Sequence, residues 1–411
     1  MEELHERYCG LDVHKRTVVA CTVTPQGKTT RSFGTLTSQL EELRDWLKAL
    51  GVTHVAMEAT GVYWKPVWNV LEGHFGLLLV NAAHIKAVPG RKTDMLDAEW
   101  IASLLGHGLL QGSFVPDQQQ RELRELTRTR TALVRERARV VQRLEKVLEG
   151  ANIKLGIVLT DVMGVSGQRI LEALVRGEED PEELADLAHS SVQKKRESLE
   201  MAVVGKLSEN SRFLVHQHLQ HWKELDQRIA AFDEQIERVM RPFETQLRQI
   251  QSIPGVSRRI AEVVVAEVGV DMSRFPTEKH LAAWAGMCPA NRESAGRRKP
   301  AASRHGSPWL KAALTEAAWA ASRCKGGYLA AQYRRLSSRR GRKRAIVAVG
   351  HTLLVTLYHM LTDGTLYHDL GSNYFDERDR RAVERRALTR LEALGYKVTL
   401  EPVATPPPRA A

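Results

Sequence analysis

Short β-branched runs alternate with helical stripes over the first hundred residues. Tyr8 to Val13 reads as a buried strand with Asp12 at its end. Thr17 to Thr24 is a second strand, Pro25-Gln26-Gly27 a turn, and Lys28 to Phe33 a third strand pairing back. From Ser38 to Leu50 the apolar positions Leu40, Leu43, Trp46, Leu47 and Leu50 share one helical face. Thr53 to Met57 is again strand, with Glu58 at its end. Gly61 to His74 predicts helix, Leu77 to Val80 strand, and Asp94 to Leu105 helix. A three-strand meander followed by alternating helices and strands implies a mixed sheet covered by helices.

Beyond residue 112 the pattern becomes helical. Leu123, Leu126, Leu133, Val140, Leu144 and Val147 recur at steps of three and four, with Arg121, Arg124, Arg128, Arg135, Arg139 and Arg143 between them. Arg130 and Arg137 fall on the apolar stripe itself. A second seam, Trp222, Leu225, Ile229, Phe232, Ile236, Val239 and Phe243, has coiled-coil spacing. It predicts either a hairpin within one chain or, the reading adopted here, a contact between chains. Gly164 to Asn210 is mostly helical. Ile253-Pro254-Gly255-Val256 before a helix from Ser257 is similar to the turn of helix-hairpin-helix modules, whose amides hold a phosphate. Ala345 to Leu361 is an apolar core helix, Tyr374 to Leu394 a charged helix, Tyr396 to Leu400 a short strand, and the last residues are proline-rich.

Charge narrows the class. The 411 residues carry a net charge of +11, which favours a polyanionic partner. From Asn291 to Arg344 there are fifteen Lys and Arg against two Glu, a concentration suited to a phosphate backbone. Arg292, Arg297, Arg298, Lys299, Arg339, Arg340 and Arg342 are the candidate nucleic-acid contacts. The four cysteines have no metal spacing and read as buried thiols of a reducing compartment. No apolar run reads as a membrane span, so a soluble intracellular protein is expected.

Candidate chemistry rests on carboxylates. Asp94 and Asp97, three residues apart, share a helical face, and Asp12 and Glu58 stand at strand ends. Each has a structural reading alone: a turn residue, a helix N-terminal carboxylate, an N-cap. Together in a basic chain they fit a site for two hard divalent cations, as phosphodiester hydrolysis or transfer requires. Ser294, flanked by cations, is a candidate nucleophile; Ser303 and Ser307 compete, although Ser307 before Pro308 suits a helix cap.

Gly-Leu-Asp-Val-His-Lys, Met-Glu-Ala-Thr-Gly and Lys-Thr-Asp-x-x-Asp-Ala together resemble the nuclease domain of the IS110 insertion-sequence transposases. The resemblance runs from about Tyr8 to Val403. It implies a RuvC-type, RNase-H-like α/β domain over residues 1–112 with Asp12, Glu58, Asp94 and Asp97 as its DEDD set for Mg²⁺. It implies a helical coiled-coil region over 113–248. A mostly α-helical transposase domain with the helix-hairpin-helix-like element and the basic segment follows over 249–370, then a charged tail over 371–411. In this family a serine follows Pro-x-x-x-x, as Ser294 follows Pro289, here with Ala295 before Gly296. The resemblance further implies donor and target DNA as substrates, a structured bridge RNA, a homo-oligomer (dimer or tetramer), and a prokaryotic, nucleoid-associated cytoplasmic protein. Two other readings stay open: a metal-dependent structure-specific endonuclease with no covalent intermediate, and a non-catalytic nucleic-acid-binding assembly protein.

Overall fold

A computed structural model of the chain describes residues 4–81, 97–190, 192–288, 293–294, 297–298 and 306–400. It divides into two compact units, residues 1–118 and 119–411. The first is an α/β unit with strands β1 (Tyr8–Val13), β2 (Thr17–Thr24), β3 (Gly27–Gly34), β4 (His54–Glu58) and β5 (Gly76–Val80). The sheet order is β3-β2-β1-β4-β5. The expected meander is present: β1 pairs antiparallel with β2, and β2 with β3. β4 and β5 join parallel on the other side. Helices α1 (Thr37–Ala49) and α2 (Trp64–Leu71) supply the crossovers, and with Leu11, Val13, Val55 and Met57 of the sheet they close one core. Helix α3 (Asp97–Gly106) covers the opposite face over Tyr8, Cys21, Ala56 and Val80.

The second unit is helical. Two long helices, α4 (Gln118–Gly150) and α9 (Glu209–Met240), flank α5 (Leu155–Val158), α6 (Val165–Arg176), α7 (Pro181–Asp186) and α8 (Arg196–Val203). Then come α10 (Glu244–Gln251), α11 (Arg258–Val268) and α12 (Glu278–Trp284), and the short ladder β6 (Glu293–Ser294) and β7 (Arg297–Arg298). Helices α13 (Pro308–Ala321), α14 (Tyr328–Arg340), α15 (Arg342–Asp363), α16 (Tyr374–Arg378) and α17 (Arg380–Ala393) follow. No strand forms over 396–400. Its apolar alternation finds no sheet edge to join, and a lone five-residue strand cannot satisfy its own backbone.

The seam on α9 packs inside the chain, which corrects the expectation of a contact between chains. Leu225, Ile229 and Ile236 are buried within this single copy. Ion pairs place α9 antiparallel to α4: Arg130 meets Asp233, Arg137 meets Asp226, and His221 lies near Glu136. At the far end Leu144 and Leu148 join Val215 and Leu219 in one cluster around α5 to α8. The two arginines on the apolar stripe are thereby explained. Arg130, 3% exposed, donates to Glu262 (2.6 Å) and Asp233 (3.0 Å), and Arg137 pairs with Asp226.

Among the described residues one helix, α15, is long and apolar enough to cross a membrane, contrary to the sequence reading that no run is. Its packing assigns it instead to the core. Ala345, Ile346, Val349, Leu353, Leu354, Leu357 and Met360 are buried, and α12, α13 and α14 lie against it.

Because Ile236 is fully buried, Ile236→Lys places an uncompensated charge in the α4–α9 seam. It is expected to destabilise the helical unit by at least ~3 kcal/mol rather than release a smaller folded species. Denaturant melts combined with sedimentation check this: a folded variant of reduced mass would restore the interchain reading.

Candidate active site

Side chains alternate across a sheet, so positions 8, 10 and 12 of β1 share a face, as do 56 and 58 of β4. Tyr8 and Ala56 lie in the core beneath α3, which assigns Asp12 and Glu58 to that same face. The parallel register pairs Gly10 with Ala56 and Leu11 with Met57. One step further along both strands, Asp12 stands beside Glu58 at the carboxyl edge of the sheet. Carboxyl edges of parallel strands are where α/β sheets offer functional side chains.

Helix α3 brings a third acid to this edge. A Cβ built on Gly10 would lie 2.3 Å from the Ala98 carbonyl oxygen and 2.3 Å from the Ala102 amide nitrogen. One built on Gly106 would lie 2.4 Å from the Tyr8 ring. The helix therefore runs antiparallel to β1 with its backbone directly on the strand, and its N-terminal turn lies toward Asp12. Asp97 is the first residue of that turn. The partial positive charge of a helix N-terminus favours carboxylates gathered there. Glu99, in the same turn, is instead committed to Lys28 of β3 at 2.9 Å.

Local hydrogen bonds fix the edge. Thr60 Oγ1 donates to the Val13 carbonyl at 3.1 Å, and the Ala59 amide donates to the Val80 carbonyl at 2.8 Å, so the residues after Glu58 are tied to the ends of β1 and β5. Asp12 Oδ2 lies 3.0 Å from His14 Nε2. Gly10 and Thr60 stand within the sequence motifs, but neither was given a role of its own there. Glycine within an apolar strand was the available signal, since it marks close backbone approach. Asp94 lies outside the described residues. Among the described residues, no three Asp, Glu, His or Cys side chains form a group able to hold a metal ion. The all-carboxylate character of Asp12, Glu58 and Asp97 suits a hard divalent cation.

In the helical unit, Ser294 is the last paired residue of β6. It stands across the ladder from Arg297, and Glu293 stands across from Arg298. The serine is thus on a short paired strand rather than on irregular loop. Arg292, Lys299 and Ser303 lie outside the described residues. The base of this segment is pinched shut: a Cβ on Gly306 would lie 2.3 Å from the Ala285 backbone. Beneath it Glu267, fully buried, accepts from Arg128 Nε (2.6 Å) and Nη2 (2.8 Å) and from Ser307 Oγ (2.9 Å). Ser307 also caps α13 by accepting from the Leu310 amide at 3.3 Å. Its hydroxyl is committed twice, as the Ser-Pro cap predicted. Tyr328 packs on Tyr374 and Phe375, and burial first of all raises its phenol pKa.

The turn resembling a helix-hairpin-helix has a packing role. Gly255 has φ +88°, and a Cβ there would lie 2.4 Å from the Ala321 amide nitrogen, so the end of α13 sits against it. The Ser257 hydroxyl caps α11 by accepting from the Ile260 amide. Arg339 and Arg340 end α14 and Arg342 begins α15, all exposed, with Gly341 at φ +79° between the helices. Arg342-Lys343-Arg344 fill the first turn of α15, where the helix dipole disfavours cations. Such a cluster gains little from the fold and much from an anion.

A family model described as transposase, of the DEDD IS110 type, matches residues 9–153. A second, described as the transposase IS116/IS110/IS902 family, matches residues 247–334. The chain is 24% identical over 332 residues to a probable family 20 transposase of Pseudomonas aeruginosa, spanning 79% of this chain and 89% of that one. It is 31% identical over 122 residues, 29% of each chain, to the insertion element IS110 uncharacterized 43.6 kDa protein of Streptomyces coelicolor.

Two outcomes follow from this geometry. Gly10→Val wedges α3 off β1 and is expected to cost roughly 2–3 kcal/mol, read by thermal or denaturant melts; wild-type stability would mean that the helix does not rest on the strand. Replacing Arg339, Arg340 and Arg342 together by Ala is expected to flatten the log–log salt dependence of duplex DNA binding by about two to three units. An unchanged slope would place these side chains away from phosphate.

Proposed function

The chain belongs to the IS110 family of transposases, and from that membership we propose that it cuts and rejoins DNA strands using both a carboxylate-held Mg²⁺ site and a covalent serine step. The observation that carries the reading is the convergence of Asp12 and Glu58, neighbours on parallel strands, with the N-terminal turn of α3 that begins at Asp97. With Asp94 they make the four-carboxylate DEDD set of a RuvC-type, RNase-H-like domain. These four residues would hold Mg²⁺, which when bound neutralises charge developing on the phosphodiester oxygens.

Ser294 is the proposed nucleophile. Its Oγ attacks the scissile phosphorus: one Oγ–P bond forms as one phosphorus–deoxyribose oxygen bond breaks, and the serine proton is balanced by the proton taken up by the leaving oxygen. The strand is then held as a phosphoserine ester with its bond energy conserved, and a hydroxyl of a second DNA end displaces the serine by the reverse bookkeeping of atoms. Arg297, across the ladder from Ser294, and Arg298 would favour the phosphate's negative charge. Arg292, Lys299, Arg339, Arg340 and Arg342 belong to the proposed DNA path. A structured bridge RNA that pairs with donor and target DNA, and a homo-oligomer, are part of the same proposal. Removal of co-purified RNA by nuclease, with loss of recombination on a defined donor and target pair, tests the RNA.

The deciding experiment traps the reaction on a nicked substrate, digests the protein and maps the adduct by mass spectrometry. A phosphodiester on Ser294, absent in Ser294→Ala with DNA binding retained, is expected. An adduct on another residue refutes the assignment, and product formed without any adduct favours the water-dependent endonuclease. Asp12→Asn and Asp97→Asn are expected to lower recombination by at least 100-fold with the melting temperature nearly unchanged; full activity of these folded variants in Mg²⁺ would overturn the carboxylate site.

A further inference from the structure

Helix α13 presents a line of side chains that the catalytic reading does not use. Trp309, Ala312, Glu316 and Trp319 recur at helical spacing along one face of it, and Arg323 follows just beyond its end. Two adjoining hollows follow this line and share Ala312 and Glu316. One, of about 210 Å³, lies between Trp309 and residues of α4 and α11, including Arg135 and Arg259. The other, of about 670 Å³, is bordered by Lys311, Thr315, Trp319 and Arg323. At one end the Arg135 guanidinium lies 5.0 Å over the Trp309 ring. At the other, Trp319 is 38% exposed and packs at 5.8 Å on Tyr333 of α14.

We infer that this stripe is a stacking groove for an unpaired nucleic-acid strand. The inference goes beyond the proposed chemistry and does not depend on Ser294 or the carboxylates. Its argument is the order of residue types. The exposed Trp319 ring, and the half-buried Trp309 ring beside it, offer flat faces to bases of any sequence, and the neighbouring guanidiniums strengthen such stacks and attract the backbone. Ten residues of helix separate Trp309 from Trp319, about 15 Å, which a few nucleotides of extended strand cover. The exposed carboxylate of Glu316 between the rings repels phosphate, so the middle of the stripe faces base edges, where a carboxylate accepts from an exocyclic amino group. Duplex DNA keeps its base faces stacked inside and cannot use the two indoles. Arg135 and Arg323 are both exposed at the two ends of the stripe, within reach of the strand's phosphates.

The test uses the full chain and fluorescently labelled mixed-sequence 12-mers: single-stranded DNA, single-stranded RNA and duplex DNA. Trp319→Ala and Trp309→Ala are each expected to weaken binding of an unpaired strand by roughly 5- to 100-fold, with duplex affinity changed less than threefold. A larger loss for DNA or for RNA identifies which strand occupies the groove. Trp319→Phe keeps an aromatic ring and the fold; it should keep most of the affinity while removing the part of the indole quenching that titration with the unpaired strand produces. Unchanged affinity and quenching in these variants overturn the inference, as does an equal loss on duplex. Unchanged oligonucleotide binding together with an altered sedimentation mass overturns it in favour of a protein contact on α13.

Discussion

The contact between Gly10 and the backbone of α3 governs the first unit. With no side chain between them, helix and strand meet at van der Waals distance, and their relative direction is set by backbone alone. That direction carries the N-terminal turn of α3 to the end of β1, where the register of β1 and β4 has already set two acids side by side. A larger residue at position 10 would leave every acid in the sequence and displace the helix whose first turn carries Asp97. The apolar layers on the two faces of the sheet hold this arrangement from both sides.

Buried charge plays the corresponding part in the helical unit. Arg130 with Glu262 and Asp233, and Arg128 with Glu267 and Ser307, tie α4 to α9, α11 and the start of α13. Such pairs add little net stability over apolar packing, yet removal of one partner leaves a charge without solvent and costs about 3–5 kcal/mol. They therefore select one alignment of helices over its neighbours, which a seam of Leu and Ile alone does less sharply.

The meander and the parallel strands were legible because β-branched runs bounded by turn residues carry strong local signals; β1 and β2 begin and end where the sequence placed them. The helix after Glu58 is shorter than expected, since Gly61 to Tyr63 form a turn before α2. Asp12 and Glu58 could be placed at strand ends, but their adjacency depends on sheet register, which no periodicity encodes. The α9 seam was visible as a seam; whether its partner is the same chain depends on the antiparallel ion pairs to α4, such as Arg137–Asp226 and Arg130–Asp233, whose partners lie 89 and 103 residues apart in sequence. Glu267 was invisible for a related reason. A single acid in an apolar helix acquires meaning only when Arg128 and Ser307 arrive from distant segments. The Trp309–Trp319 line was hidden by its helix, whose alanines read as core on the opposite face.

The pinch between Gly306 and Ala285 has a consequence for how this protein can diversify. Gly306 meets the Ala285 backbone with no room for a side chain, and Ser307, bonded to the buried Glu267, fixes the residue that follows. Lengthening a loop whose ends are already joined costs little, about 0.6 kcal/mol per doubling. Insertions and substitutions around the β6–β7 hairpin are therefore nearly free of charge to the stability of the helical unit. A lineage can lengthen or shorten the stretch between those two points while the scaffold of α11, α12 and α13 stays the same.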